Sequence, residues 1–151
     1  MHTRHLALAI GAALLVGGPA AQAQDSPRPY DQGAVWMISQ VRTNPGHFDD
    51  YMKFVAGPWR HTQEALKKVG VVLDYKVLNV FDGRDGEADL ILLVEWKNMG
   101  VFDASLAEQD SITKQVYGSV GAANQADMDR ESVRHLGSDI LTRELVLTPA
   151  K

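Results

Sequence analysis

The spacing of apolar residues changes along this chain, and each change marks an element. Ala34–Arg42 (AVWMISQVR) has apolar side chains on successive positions and turns polar at its end. That is the pattern of a strand covered on both faces. Thr43-Asn44-Pro45-Gly46 follows and predicts a helix start, with Asn44 capping free N–H groups and Pro45 at the first helical position. Phe48, Tyr51, Met52, Val55, Trp59, Thr62, Leu66 and Val69 then recur at helical spacing, with charged residues between them. At 100° per residue they fall within about 100° of one another, so His47–Val69 reads as one amphipathic helix. Gly57-Pro58 lies inside it. The apolar phase continues across that pair, which predicts a bend rather than a new element. Gly70 closes the helix.

The second half alternates in the same way. Val71–Phe81 is a second strand, and Asp82-Gly83 with Asp85-Gly86 supplies turn chemistry for a hairpin. Ala88–Lys97 is a third strand. Its core is five consecutive aliphatic residues, Leu90–Val94. Asn98 is the expected cap of a second helix running on to Val116. Gly118–Gly121 is a break, Ala122–Leu136 a weakly amphipathic helix ended by Gly137, and Asp139–Leu147 the last strand.

This order is α+β, a ferredoxin-like split βαβ arrangement (βαββαβ with an extra helix before the last strand) on an antiparallel sheet. Helices can cover one face of such a sheet. In the third strand Leu90, Leu92, Val94 and Trp96 share one face, and Ile91 and Leu93 share the other. A monomer would leave one set as a contiguous apolar patch. The expected cover is the same sheet of a second subunit, giving a homodimer.

The amino terminus has a different purpose. A short basic start is followed by the apolar run Leu6–Val16, by Gly17-Gly18-Pro19, and by Ala21-Gln22-Ala23. This is the layout of a secretory signal peptide over residues 1–23, cut after Ala23. The run is shorter than the roughly 20 residues a membrane span needs. Residues 24–33 read as a flexible spacer and 34–148 as the domain. Removing 23 of 151 residues leaves 128, enough for one domain with a core. A periplasmic or secreted protein is expected, with no membrane association after cleavage.

Charge and composition narrow the function. With Arg4 removed, 14 basic residues face 19 acidic ones, a balance of −5. Mild acidity argues against nucleic acid and against anionic membrane surfaces as partners. The chain has no cysteine, which excludes disulfides, thiolate nucleophiles and thiolate metal sites.

Phe48-Asp49-Asp50-Tyr51-Met52 after the first strand and Glu95-Trp96-Lys97-Asn98-Met99 at the third strand's end carry a resemblance. Together with the element order, they make Ala34–Leu147 resemble the dimeric α/β-barrel superfamily of antibiotic-biosynthesis-type monooxygenases and their relatives. Uncharacterised exported bacterial proteins with a closing Arg-Glu-Leu-Val-Leu strand are similar too. The resemblance implies a dimeric α/β barrel. It spans cofactor-free oxygenases, isomerases, cyclases and haem proteins, so it selects no reaction.

Candidate chemistry is sparse. His47 and His61 are fourteen residues apart, about 21 Å along a straight helix. His61 and Glu64 share the helix's polar side, and His135 stands near an expected helix end. No metal site and no cofactor follow. Glu95 is the sharpest oddity, a carboxylate late in a central strand, on the face of Ile91 and Leu93. It must find a partner, with Arg143 or Lys76 in view, or shift its pKa upward as a general acid or base. Asp74 is a second catalytic candidate. Trp36, Tyr51, Trp59 and Tyr75, with Arg143, are the candidates for binding a small hydrophobic ligand in a pocket between sheet and helices. Two functions remain open: a metal-free enzyme acting on such a ligand, with Glu95 moving a proton, and a non-catalytic periplasmic ligand-binding or stress-associated protein.

Overall fold

The structure is a computed structural model that describes residues 28–149. The expected signal peptide and its expected cleavage point lie outside the described residues. Four strands form one antiparallel sheet: β1 (Tyr30–Thr43), β2 (Val72–Asn79), β3 (Leu90–Trp96) and β4 (Arg134–Leu147), in the order β2-β3-β1-β4. Both β1 and β2 run antiparallel to β3. They are therefore parallel to each other with β3 inserted between them, the split βαβ arrangement of the ferredoxin-like fold.

The helical elements follow the apolar phase. Helices α1 (Phe48–Phe54) and α2 (Arg60–Lys68) are joined by a wide turn at Val55–Trp59. There the N–H of Arg60 reaches back five residues to Val55 O, and Gly57 departs from helical dihedrals. Pro58 has no N–H to offer the preceding turn, so the expected bend falls there. The wide turn also shifts the phase. Gln63 and Ala65 are buried in α2, while Val69 is 63% exposed.

The helix start differs from expectation. Pro45 and Gly46 form the centre of a tight turn closed by His47 N–H donating to Asn44 O at 2.9 Å. Gly46 takes a positive φ of 84°, as the third position of a type II turn requires. The Asn44 side chain does not cap α1. Its Nδ2 donates to Ser132 O at 2.8 Å and ties this turn to the start of β4.

Asn98 likewise makes no side-chain cap. It precedes a 3-10 turn, Met99–Asp103, and the second crossover helix α3 (Leu106–Tyr117) starts only after that turn. Its cap is a reciprocal box: Ser105 Oγ accepts from Glu108 N–H while Glu108 accepts from Ser105 N–H.

The extra helix α4 (Val120–Arg130) is present but ends before Leu136. Val133–Leu136 and Gly137 belong to the approach and body of β4, not to a helix. Pairing decides this: β4 runs beside β1 as far as Thr43↔Arg134, and apolar residues three apart do not distinguish helix from strand over so short a span. Gly137 is a close-approach residue, because a Cβ there would stand 3.0 Å from Gln40 O. His135 is thus an exposed strand residue opposite Arg42 rather than a helix-end charge. The spacer also yields part of its length, since Tyr30–Gly33 lies in β1 and its Tyr30–Gln32 pairs with the end of β4.

The core lies between the sheet and α1. Val41, Leu90 and Leu92 meet Tyr51 and Val55, with Phe48, Met52, Trp59, Val77 and Val133 around them. In β3, Leu90, Leu92 and Val94 are buried, and Ile91, Leu93 and Glu95 are half-buried on the opposite face. Register puts Trp36 and Ile38 beside Glu95 and Leu93 on that face, and Ile140 beside Ile38. This second face is apolar and open in the monomer. Among the described residues no helix is long and apolar enough to cross a membrane.

Candidate functional site

A cleft of about 730 Å³ lies between α2 and α3 at one end of the sheet. The sheet stops at Trp96 and Val72, whereas α2 and the 3-10 turn continue past it. Leu66 of α2 and Val69, the residue just past its end, line the cleft. They form one wall, Ile112 of α3 faces them, and Val101 and Phe102 of the 3-10 turn close the end. Trp96 forms part of the wall nearest the sheet. Its ring meets Phe102 at 5.2 Å between centroids, and its indole N–H is buried with no acceptor. A smaller, polar notch of about 260 Å³ lies farther along α2, between His61, Glu64, Lys68 and Gln115.

None of the sequence candidates lines the large cleft, and they do not form one site. Tyr51 is 2% exposed in the core. Its hydroxyl pKa is raised, by burial first, with Arg134 and Arg130 pulling it down. Trp59 packs against the same core and meets Tyr75 edge-on at 5.3 Å. Tyr75 donates to Glu64 at 2.7 Å, and that hydrogen bond is the main cause of its raised pKa. Trp59, Tyr51 and Tyr75 thus share the helix-facing layer. Trp36 does not, because it pairs with Glu95 on the open face, under the ammonium of Lys76 at 5.7 Å.

The carboxylates also separate. Asp74 pairs with Lys67 at 3.3 Å. Its pKa is lowered, first by the Tyr75 backbone N–H and then by Lys67, which makes it a poor proton acceptor at neutral pH. Arg143 is not the partner of Glu95. It lies opposite Val35, on the helix-side phase of β1, and donates to Gly33 O at 3.3 Å. Lys76 shares Glu95's face but sits over Trp36 instead. Glu95 is on the opposite side of β3 from Trp96 and the cleft.

Sequence reasoning missed the cleft because its walls come from four elements, α2, β3, the 3-10 turn and α3, and the links beside them. The available signal was Trp96, in phase with Leu90, Leu92 and Val94 but at the strand's last position, where no further strand residue could cover it.

The fold and cleft define a ferredoxin-like α+β protein with a hollow beside the end of its sheet. No protein-family model and no curated protein matches the chain. Among solved structures, the chain is similar to HapK from Hahella chejuensis, with a TM-score of 0.51 at 10% identity over 78% of this chain and 98% of that one. It is also similar to PA3566 from Pseudomonas aeruginosa, with a TM-score of 0.38 at 10% identity over 78% and 96%. The likeness to HapK is one of fold.

Proposed function

We propose that this is an exported, homodimeric protein that holds a small hydrophobic ligand in the cleft between α2 and α3. The observation that carries this reading is the cleft itself. About 730 Å³ lined mainly by Leu66, Val69, Val101, Phe102, Ile112 and Trp96 is the size and chemistry of a small-molecule pocket. Export rests on the signal-like residues 1–23, and the dimer on the open apolar face of Ile38, Ile91, Leu93 and Ile140.

A second reading, a metal-free oxygenase-, isomerase- or cyclase-like enzyme, is favoured by Glu95. That carboxylate is half-buried beside Trp36 and Leu93 on a face a second subunit would close. Native mass spectrometry of the protein isolated from its own cells tests both readings. A dimer carrying a small neutral molecule, lost in Leu66→Arg, supports the cleft. Conversion of that molecule, abolished in Glu95→Gln with the fold intact, would favour the enzyme. A clean monomer mass with no retained ligand would count against the whole proposal.

A further inference from the structure

The polar groups around the cleft are almost all committed to their own backbone. Thr62 Oγ1 donates to Pro58 O at 3.0 Å, Gln109 Nε2 to Ala104 O at 2.8 Å, and Thr113 Oγ1 to Gln109 O at 3.1 Å. Glu108 is the sole ionisable residue among the described residues of the lining, and no Lys, Arg or His joins it. Its carboxylate accepts from Ser105 N–H at 2.8 Å and Ser105 Oγ–H at 2.7 Å. The positive end of α3, which would otherwise draw an anion, is therefore already answered. Two lining groups are exceptions among the described residues: the hydroxyl of Ser111, at an exposed position, and the indole N–H of Trp96, which alone of the two is buried. The Trp96 N–H is buried without an acceptor, and the Trp96 ring packs against the tilted ring of Phe102, which also lines the cleft.

A ligand's carboxylate entering this space would lose its water, meet no cation, and face the charge of Glu108. An uncharged oxygen loses far less on leaving water. It also offers Trp96 the acceptor that the protein does not provide, and a buried donor without one is costly. We propose that the cleft selects an uncharged apolar molecule carrying one oxygen acceptor, received by the Trp96 N–H as Phe102 gives way, and rejects the carboxylate of the same shape. This rests on the cleft being the ligand site.

Three flat probes of similar size separate the possibilities by calorimetric titration of the purified protein: naphthyl methyl ketone, ethylnaphthalene, and naphthoate at a pH where it is ionised. The ketone is expected to bind about tenfold or more tightly than naphthoate. Trp96→Phe keeps the ring and removes the donor. It should weaken ketone binding by about three- to tenfold and leave ethylnaphthalene unchanged. Leu66→Lys puts a cation in the wall and should turn the preference toward naphthoate. Circular dichroism verifies that both variants fold. Naphthoate binding as tightly as the ketone, or Trp96→Phe affecting ketone and hydrocarbon equally, would overturn the selectivity. Failure of all three probes to bind, or binding indifferent to Leu66→Lys, would instead remove the cleft as the site.

Discussion

Arg134 is the residue whose role was least visible in the sequence. It is 6% exposed, and its guanidinium reaches Asp127 of α4 at 2.7 Å. The same Asp127 oxygen accepts from Arg130 at 3.0 Å, and Arg130 stacks on Phe54 with 3.8 Å from its guanidinium carbon to the ring centre. One carboxylate thus answers two cations beside the buried Tyr51. The Nε–H groups of both arginines are buried without partners, so little else compensates them. Asp127 itself is exposed, which tempers the attraction through solvent screening. Removing it would still strand Arg134 in the core. Asp127→Ala is expected to cost about 1–3 kcal/mol in urea unfolding. The same change at Asp129, two residues along α4 and exposed, should cost about 0.5 kcal/mol or less. Equal effects at both positions would mean that the arginines do not depend on Asp127. Glu95, by contrast, was found correctly as a charge on the face of Ile91 and Leu93, because strand phase fixes face. Its partner was not, because Arg143 is separated from it by β1 and by one residue of register.

Among the elements, those bounded by strong local chemistry were legible. The bend at Gly57-Pro58, the end of α2 at Gly70 and the break at Gly118 all fall where glycine and proline put them. The boundaries that failed were set by tertiary pairing. Val133–Leu136 reads as helix by spacing, yet β1 is long enough to pair with it. Asn98 has the composition of a cap, but Ser105 and Glu108, farther along the chain, form the box. That box makes α3 a testable element. The Glu108 pKa is lowered, first by the Ser105 hydroxyl and then by its N–H. A lowered folded pKa means the fold favours the charged carboxylate. The contribution is therefore present above the ordinary carboxylate pKa of 4.5 and is lost as pH falls through the folded value. Protection of α3 amides, corrected for intrinsic exchange, should decline through that acid window in the natural protein. Ser105→Ala should lower it by about 1 kcal/mol at neutral pH and flatten the decline. A decline of the same depth in Ser105→Ala would show that Glu108 acts through some other group.

The whole molecule poses a packing question that one chain does not answer. Its helices and core lie against the Leu90, Leu92 and Val94 face. The other face presents Trp36, Ile38, Ile91, Leu93 and Ile140, a contiguous apolar surface of the kind that marks an interface. The sheet also extends beyond its core. β3 reaches only as far as Val35, so Tyr30–Gln32 pairs with Leu145–Leu147 alone. Leu145, Val146 and Leu147 are all exposed there. Two strands without a third, or a layer against them, are marginal in water. Polar Asp31 and Gln32 made this stretch read as spacer, and its strand state is set by pairing rather than by its own propensity. A second sheet stacked on the open face would cover Trp36, Ile38, Ile91, Leu93 and Ile140 together, with Val146 in the same strand phase as Ile140, so a single charge at the centre should undo the assembly. Leu93→Glu sits between Ile38 of β1 and Lys76 of β2, on the open side, and it leaves the Tyr51 core untouched. Light scattering of the natural protein at micromolar concentration should give twice the mass of the mature chain. Leu93→Glu should give one chain mass with an unchanged circular dichroism spectrum. Met128→Glu, an exposed change on α4, should leave the dimer intact. A natural protein that runs as a monomer, or a Leu93→Glu variant that still pairs, would require the open face to be covered by something other than its own copy.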